Sequence, residues 1–327
     1  MKFSLFPTAA LALLALAPAV PAAAADAVKD YPSRPIRMIV PNAPGSSVDT
    51  LSRIVGNGLS QVLGQQVVLD NRPGAAGVIG MEIAKNANPD GYTMIAATTA
   101  ASTIARLLQK NPTFDPVKDY DYVVQFAETP NLLVVNPSLP IKSVKELIDY
   151  AKNNPGKFNM ASAGAGSQSH LSGAFFQQAA HIDSLHVPYK GGGASVGSVV
   201  AGESHWTLTP AAAVMSHVGA GRLRALGHSL PKPSPLLANI PPIAETIPGF
   251  DYSGWQGFFL PKGTPKAITD KLRSAVVKTV NTSDVKKLLA VQGTEIVIRG
   301  PAEFRKVVQE SMVKNAQVVK AVGLTAN

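Results

Sequence analysis

The chain has 327 residues, 30 Lys and Arg against 21 Asp and Glu, a formal charge of +9 and no cysteine. That length allows two domains, or one large one, with ample core; the missing cysteines exclude thiol chemistry and disulfide staples, which a chain of this size does not need. The basic residues are scattered, with no run of four, so nucleic acid is not indicated as a partner and small anions or plain colloidal charge remain.

In chain order, Met1 and Lys2 precede an apolar stretch from Leu11 to Val20 and then Ala23-Ala24-Ala25. A charged start, a short hydrophobic core and a small-residue cleavage site are the pattern of a secretory signal peptide. The apolar part falls short of the roughly 20 residues that a membrane-spanning helix needs. Residues 1–25 are therefore read as a leader cut after Ala25, which points to the periplasm. Removing Lys2 with the leader lowers the charge by one, to +8.

From there short apolar strands alternate with helical patterns. Strands are expected at Ile36–Val40, Gln66–Leu69, Tyr92–Ala97, Leu132–Asn136, Phe158–Ser162, Leu185–Tyr189, His205–Thr209, Leu223–Gly227, Gly257–Leu260 and Glu295–Ile298. Between them Val144, Leu147, Ile148 and Ala151 keep helical spacing after a capping box of Ser143 and Glu146. Thr264-Pro265 opens another helix, carrying Ile268, Leu272, Ala275 and Val276. Pro301 opens a last one, carrying Phe304, Val308, Met312, Ala316 and Val319. The alternation predicts an α/β fold with mostly parallel sheets.

Two stretches read as crossings between lobes: Asn131–Pro140, extended and punctuated by proline, and Phe250–Gly263, rich in glycine and aromatics. The expected layout is residues 26–131 with 254–327 as a discontinuous first lobe and 132–253 as the second. Two crossings suit hinge closure around a ligand.

Two segments share one design. Ile36–Val40 runs into Pro41-Asn42-Ala43-Pro44-Gly45-Ser46-Ser47-Val48-Asp49, and Phe158–Ser162 runs into Ala163-Gly164-Ala165-Gly166-Ser167-Gln168-Ser169-His170. Each is a strand, a Gly/Ser turn and a helix, whose free first-turn amides and dipole favour an anion. The plain alternative is capping: Ser46 with Asp49, and Ser167 alone, fit N-cap roles. One such unit in each expected lobe favours a shared ligand site at the carboxyl ends of the strands. Neither turn is a P-loop or a full dinucleotide fingerprint. Gly164–Ser169 also fails the Gly-x-Ser-x-Gly nucleophile pattern. Ser167 and His170 could share a helix face, but without an orienting acid they are no triad. The six histidines lack metal-ligand spacing; His181 and His186, five apart, suit no single helix face. No cofactor is indicated.

The order of several motifs then resembles the Bug family, the periplasmic receptors of tripartite tricarboxylate transporters. The motifs are Tyr31–Arg37, Pro41–Asp49, Asp70–Gly77, Pro89–Thr93, Phe114–Tyr120, Ser162–Ser167 with His170, and His186–Gly192. The likeness runs from Tyr31 to the last helix. It implies a two-lobed periplasmic-binding-protein fold of type II-like build without catalysis, and a ligand carboxylate held by backbone amides and waters from both lobes. Carried across residue by residue, it implies contacts from Pro44, Gly45, Ser46, Ser47 and Asp49, and from Thr98-Thr99-Ala100. From the second lobe it implies Ser162, Gly164, Gly166, Ser167 and His170, with Lys190-Gly191-Gly192 nearby. Asn42 and Ser46 are polar where relatives often carry an aromatic and a glycine, and Thr209-Pro210 replaces an acidic or amide residue, so Thr209 joins the expected wall. Asp49 keeps two readings, helix cap or ligand acceptor.

The function expected is capture of a small carboxylate, a di- or tricarboxylate or an aromatic acid, by a monomer. The resemblance further implies membrane permease subunits as partners. A receptor reporting to a signalling partner, or a secreted serine hydrolase built on Ser167 and His170, are the alternatives.

Overall fold

The structure is a computed structural model that describes residues 30–321 and 323–324. The expected leader, residues 1–25, lies outside the described residues. Pro32 onward forms one unit holding both sheets of the chain.

The first sheet has the order β11-β4-β10-β3-β1-β2. Its strands are β1 (Ile36–Val40), β2 (Val67–Asn71), β3 (Thr93–Thr98), β4 (Tyr120–Thr129), β10 (Gly254–Pro261) and β11 (Glu295–Arg299). The second has the order β7-β6-β8-β5-β9. It holds β5 (Asn131–Val135), β6 (Asn159–Ser162), β7 (Leu185–Pro188), β8 (Trp206–Pro210) and β9 (Arg224–His228). The parallel pairing expected from the sequence is present at β2-β1-β3 and β7-β6-β8. The remaining strands pair antiparallel, so both sheets are mixed: β10 lies between β3 and β4, and β5 between β8 and β9. These are the strands next to the crossings, where the chain enters a sheet from its other end.

The strand β4 was not expected. It reads Tyr-Asp-Tyr-Val-Val-Gln-Phe-Ala-Glu-Thr, ten residues almost all buried, and it sits between β10 and β11. Its polar residues break the apolar run on which the sequence reading relied, while its aromatic and β-branched content is what a pleated, two-sided surface accepts. Tyr122 packs on Phe259 at 4.4 Å and on Phe304 at 5.4 Å between ring centroids. Trp255 meets Phe304 edge-on at 5.0 Å. These rings form the core on one side of the first sheet. Phe158, Phe176, Trp206 and Phe250 do the same for the second.

The helices form for local reasons. α1 (Ser47–Leu63) buries Leu51, Val55 and Leu59 on one face, starts at Ser46 and ends at Gly64 in left-handed conformation. α2 (Val78–Lys85) follows β2. In α3 (Val144–Asn153) Ser143 Oγ accepts from the Glu146 amide, and Glu146 reaches back to the Lys142 amide. α4 (Gln168–Ala180) and α5 (Gly192–Ala201) follow β6 and β7. α6 (Lys266–Val280) begins directly after Thr264-Pro265, and α7 (Ser283–Val291) precedes β11. α8 (Pro301–Ala321), 21 residues and so about 30 Å long, has Phe304 and Val308 in the first core and Val318 and Val319 in the second.

The chain passes from β4 to β5 through Pro130 alone. The return path, Phe250–Ser253, is tied to it by buried polar groups. Asn131 donates its amide to Ser229 Oγ and its side-chain nitrogen to the Tyr252 carbonyl, at 2.9 and 2.6 Å. Ser229 returns its own amide to the Asn131 carbonyl at 2.9 Å.

Candidate functional site

A cavity of about 490 Å³ opens where the carboxyl ends of the parallel strands of both sheets face one another. Its walls are the turns after β1 (Pro41–Ser47), β2 (Pro73–Gly77) and β3 (Thr98–Ala100) from the first sheet. From the second come the turns after β6 (Ala163–Ser169), β7 (Lys190–Gly192) and β8 (Thr209–Ala213). Thr129 and Gly254–Gln256, at the crossings, close the remaining side. The turns meet across the space: a Cβ on Gly191 would lie 3.6 Å from Ala43.

Three helices begin at this cavity. α1 and α4 share nearly one cap geometry. Ser46 (φ −72°, ψ 162°) accepts from the Asp49 amide at 3.3 Å, and Ser167 (φ −72°, ψ 164°) accepts from the His170 amide at 3.2 Å. Each serine answers one of its helix's free amides and leaves others directed at the turn. α5 starts at Gly191 with no side-chain cap. No acidic side chain lines the cavity among the described residues, and Lys190 is the one charged side chain that does. Three positive helix ends favour a bound anion, and the one carboxylate in their first turns, Asp49 of α1, is paired with Arg53.

Of the residues the sequence singled out, Ser46, Ser47, Thr98, Thr99, Gly164, Ser167 and Thr209 line this space. Pro44, Gly45, Asp49, Ser162, Gly166 and His170 are not among its lining residues; Pro44, Gly45 and Gly166 belong to the turns themselves, and Asp49, Ser162 and His170 brace the turns by accepting from the Gly45, Gly164 and Gly166 amides. Asp49 accepts from the Gly45 amide at 2.9 Å, from Arg53 Nε and Nη2 and from Asn71 Nδ2. Burial works to raise its pKa, and the hydrogen bonds from Arg53, Gly45 and Asn71 outweigh it, holding the carboxyl below its ordinary value. Its role here is cap and ion-pair partner, with its oxygens occupied.

Behind the second turn, His170 and His186 stack with ring centroids 3.9 Å apart and planes 7° from parallel. The Gly166 amide donates to His170 Nδ1 at 3.1 Å, and Ser162 Oγ meets His186 Nε2 at 2.6 Å. Burial, with repulsion from His186, pushes the His170 pKa down to about 4; burial also lowers that of His186. With Nδ1 accepting, the neutral ring carries its proton on Nε2. Ser167 Oγ meets the backbone amide of His170, while the ring nitrogen that could serve as a base is bound to Gly166. This is a cap and a brace, not a nucleophile with its base.

The sequence reading gave no role to the Pro73–Gly77 turn, to Gln168 and Ser169, or to Thr129, Trp255 and Gln256, all of which line the cavity. Some signals were present. Gly74-Ala75-Ala76-Gly77 is a turn in which Ala75 and Ala76 take positive φ, and Gln256 is a polar residue inside an apolar strand. Gln256 Nε2 donates to Ser52 Oγ at 3.1 Å.

Residues 51–324 match the family described as "Tripartite tricarboxylate transporter family receptor". The chain belongs to this receptor family. Its members are solute receptors and not enzymes, and the receptor shares that character. It is 33% identical to Protein BugT of Bordetella pertussis over 295 residues, 90% of each chain. The fold matches that of a protein described as a periplasmic transporter with a TM-score of 0.87 at 37% identity, covering 91% of this chain and all of the other. An R. palustris protein solved with adipate gives a TM-score of 0.87 at 31% identity, covering 91% of this receptor and 100% of that chain. MatC from Rhodopseudomonas palustris, with bound malate, gives 0.82 at 28%, covering 88% and 100%. The architecture is thus the two-lobed α/β fold of periplasmic binding proteins.

Proposed function

We propose that the receptor is exported to the periplasm, captures a small carboxylate between lobes formed by residues 26–131 with 254–327 and by 132–253, and presents it as a monomer to membrane permease subunits. The observation that carries this reading is the pair of matched serine-capped helix ends, Ser46–Ser47 and Ser167–Gln168, facing one cavity without an acidic side chain. Adipate and malate in the structures of two relatives support the same ligand class. The leader pattern at residues 1–25 supports export, and no helix among the described residues is long and apolar enough to cross a membrane. Ser46, Ser47, Thr98, Thr99, Gly164, Ser167 and Thr209 are the contacts we assign. Pro44, Gly45, Asp49, Ser162, Gly166 and His170 support them.

The chemistry is binding. Backbone amides offer fixed donors to the carboxylate, and the small walls of Ala43, Ala76, Ala163 and Ala165 let the two turns approach it. Closure follows because a ligand touching both lobes binds the closed form better than the open one. The test is a thermal-shift panel on protein expressed from the full sequence. At 100 times its dissociation constant a ligand adds about 2.7 kcal/mol. Carboxylates are expected to raise the melting point. If only neutral or cationic solutes do so, the reading fails.

A further inference from the structure

The positive charge of the chain shows no long run in the sequence, yet it is unevenly shared. Residues 254–327 hold 12 Lys and Arg against 5 Asp and Glu, a net +7, while residues 26–253 hold 17 against 16. In this last segment Lys262, Lys266, Arg299, Lys306 and Lys314 pair with carboxylates. Lys271, Arg273 and Lys278 on α6, and Lys286 and Lys287 on α7, have side chains with no ion pair or hydrogen bond among the described residues. Arg273 and Lys278 line one shallow groove with Thr282, which stands at the N-cap position of α7, so the basic face runs from one helix into the next.

Apolar side chains stand out among these cations. α7 turns Val285 and Leu289 inward, and its other side presents Lys287, Leu288 and Val291 to solvent. Leu288 is 50% exposed and Val291 67%. Exposed aliphatic side chains one turn apart beside lysines are the pattern of a helix lying at a membrane interface, where cations meet headgroups and apolar side chains reach the acyl boundary. The neighbouring groove is lined by polar and charged residues except for Val277, so it offers no apolar socket for the anchor residue of a protein partner. Leu288 and Val291 project instead, and a bilayer receives projecting side chains without a matched socket.

We propose that the outer face of α6 and α7 docks on an anionic phospholipid bilayer, with the five unpaired cations on the headgroup phosphates and Leu288 and Val291 entering the interface. This rests on the export reading above, which places the receptor beside a membrane, and it does not depend on the carboxylate reading.

The test is co-sedimentation of the purified mature receptor with vesicles of phosphatidylcholine alone and of phosphatidylcholine mixed with phosphatidylglycerol, over a range of salt. Binding is expected to the anionic vesicles only, and to weaken as salt rises. At about fivefold per cation, Lys286→Glu combined with Lys287→Glu is expected to lower the partition coefficient about 25-fold or more. Lys152→Glu combined with Lys157→Glu, at two exposed positions on and just after α3, makes the same change in net charge. Its binding is expected to stay within about threefold of the parent, because charges beyond the screening length contribute little. Leu288→Ser combined with Val291→Ser keeps the charge and is expected to weaken binding about tenfold. All six positions are exposed, so the variants keep the fold. No binding to the anionic vesicles overturns the proposal. Equal losses in the two charge-reversed variants also overturn it, since that is adsorption by net charge, and so does unchanged binding of the serine variant. Binding to membrane vesicles of the producing cell that protease treatment abolishes, with none to pure lipid, assigns the face to a protein and overturns it as well.

Discussion

Acid is expected to weaken the receptor through the stacked histidines behind the second turn. His170 is 8% exposed, and its pKa falls from 6.5 to about 4. The folded state therefore disfavours the charged ring. Its contribution is fully present above pH 6.5, the unfolded value, and is lost as pH falls toward 4. A displacement of that size corresponds to about 3 kcal/mol in full, of which about 2 kcal/mol appears between pH 7 and pH 4.5. His186, His205, His217 and His228 are shifted in the same direction, so the variant must isolate one ring. His170→Gln removes the titration while offering a carbonyl oxygen to the Gly166 amide. Urea unfolding at 25 °C, repeated from pH 4.5 to pH 7.5, gives stability against pH for both proteins. The variant is expected to lose about 2 kcal/mol less than the parent over this range. Parallel curves for the two proteins would refute the assignment of acid sensitivity to this stack.

Other substitutions probe the braces. Asp49→Ala strips the partners of Gly45, Arg53 and Asn71 and the N-terminal charge of α1; a loss of about 2–3 kcal/mol in urea unfolding is expected, and an unchanged midpoint would remove Asp49 from the role of cap. Gly166→Ala imposes a side chain at φ +74°, with a Cβ 2.4 Å from Leu108 Cδ1. Carboxylate affinity by calorimetry is expected to fall about tenfold, as a strain of 1–2 kcal/mol displaces the turn, and wild-type affinity would contradict this. Asn131→Ala unties the crossing from Tyr252 and is expected to lower stability by about 1–3 kcal/mol; a thermal midpoint equal to that of the parent would show the tie to be idle.

Much of the fold could be read along the chain because it is written in local terms. Apolar runs such as Ile36–Val40, the Gly/Ser turns after them and the caps at Ser46, Ser143 and Ser167 act within a few residues of one another. What escaped depends on distant partners. The strand β4 shows no clean alternation because both of its faces are covered, one by the aromatic core around Phe304. The stack of His170 on His186 joins a helix to a strand. Thr99, Thr129 and Gln168 crowd around Gly254 although the four are separated by as many as 155 positions, and nothing in their spacing marks them as neighbours. Five of the six expected site residues outside the lining have polar atoms with partners, such as Arg53 for Asp49 and His186 for Ser162, that only the folded chain reveals.

The central claim is that the cavity holds a carboxylate on the amides of two facing turns. The most direct measurement is titration of the receptor with adipate and with adipamide, its neutral diamide of similar size and shape, in one buffer at one ionic strength. Saturable heat is expected with adipate and none with adipamide, because the helix N-termini at the cavity favour the anion. Equal affinity for the diamide, or binding of the diamide alone, would contradict it.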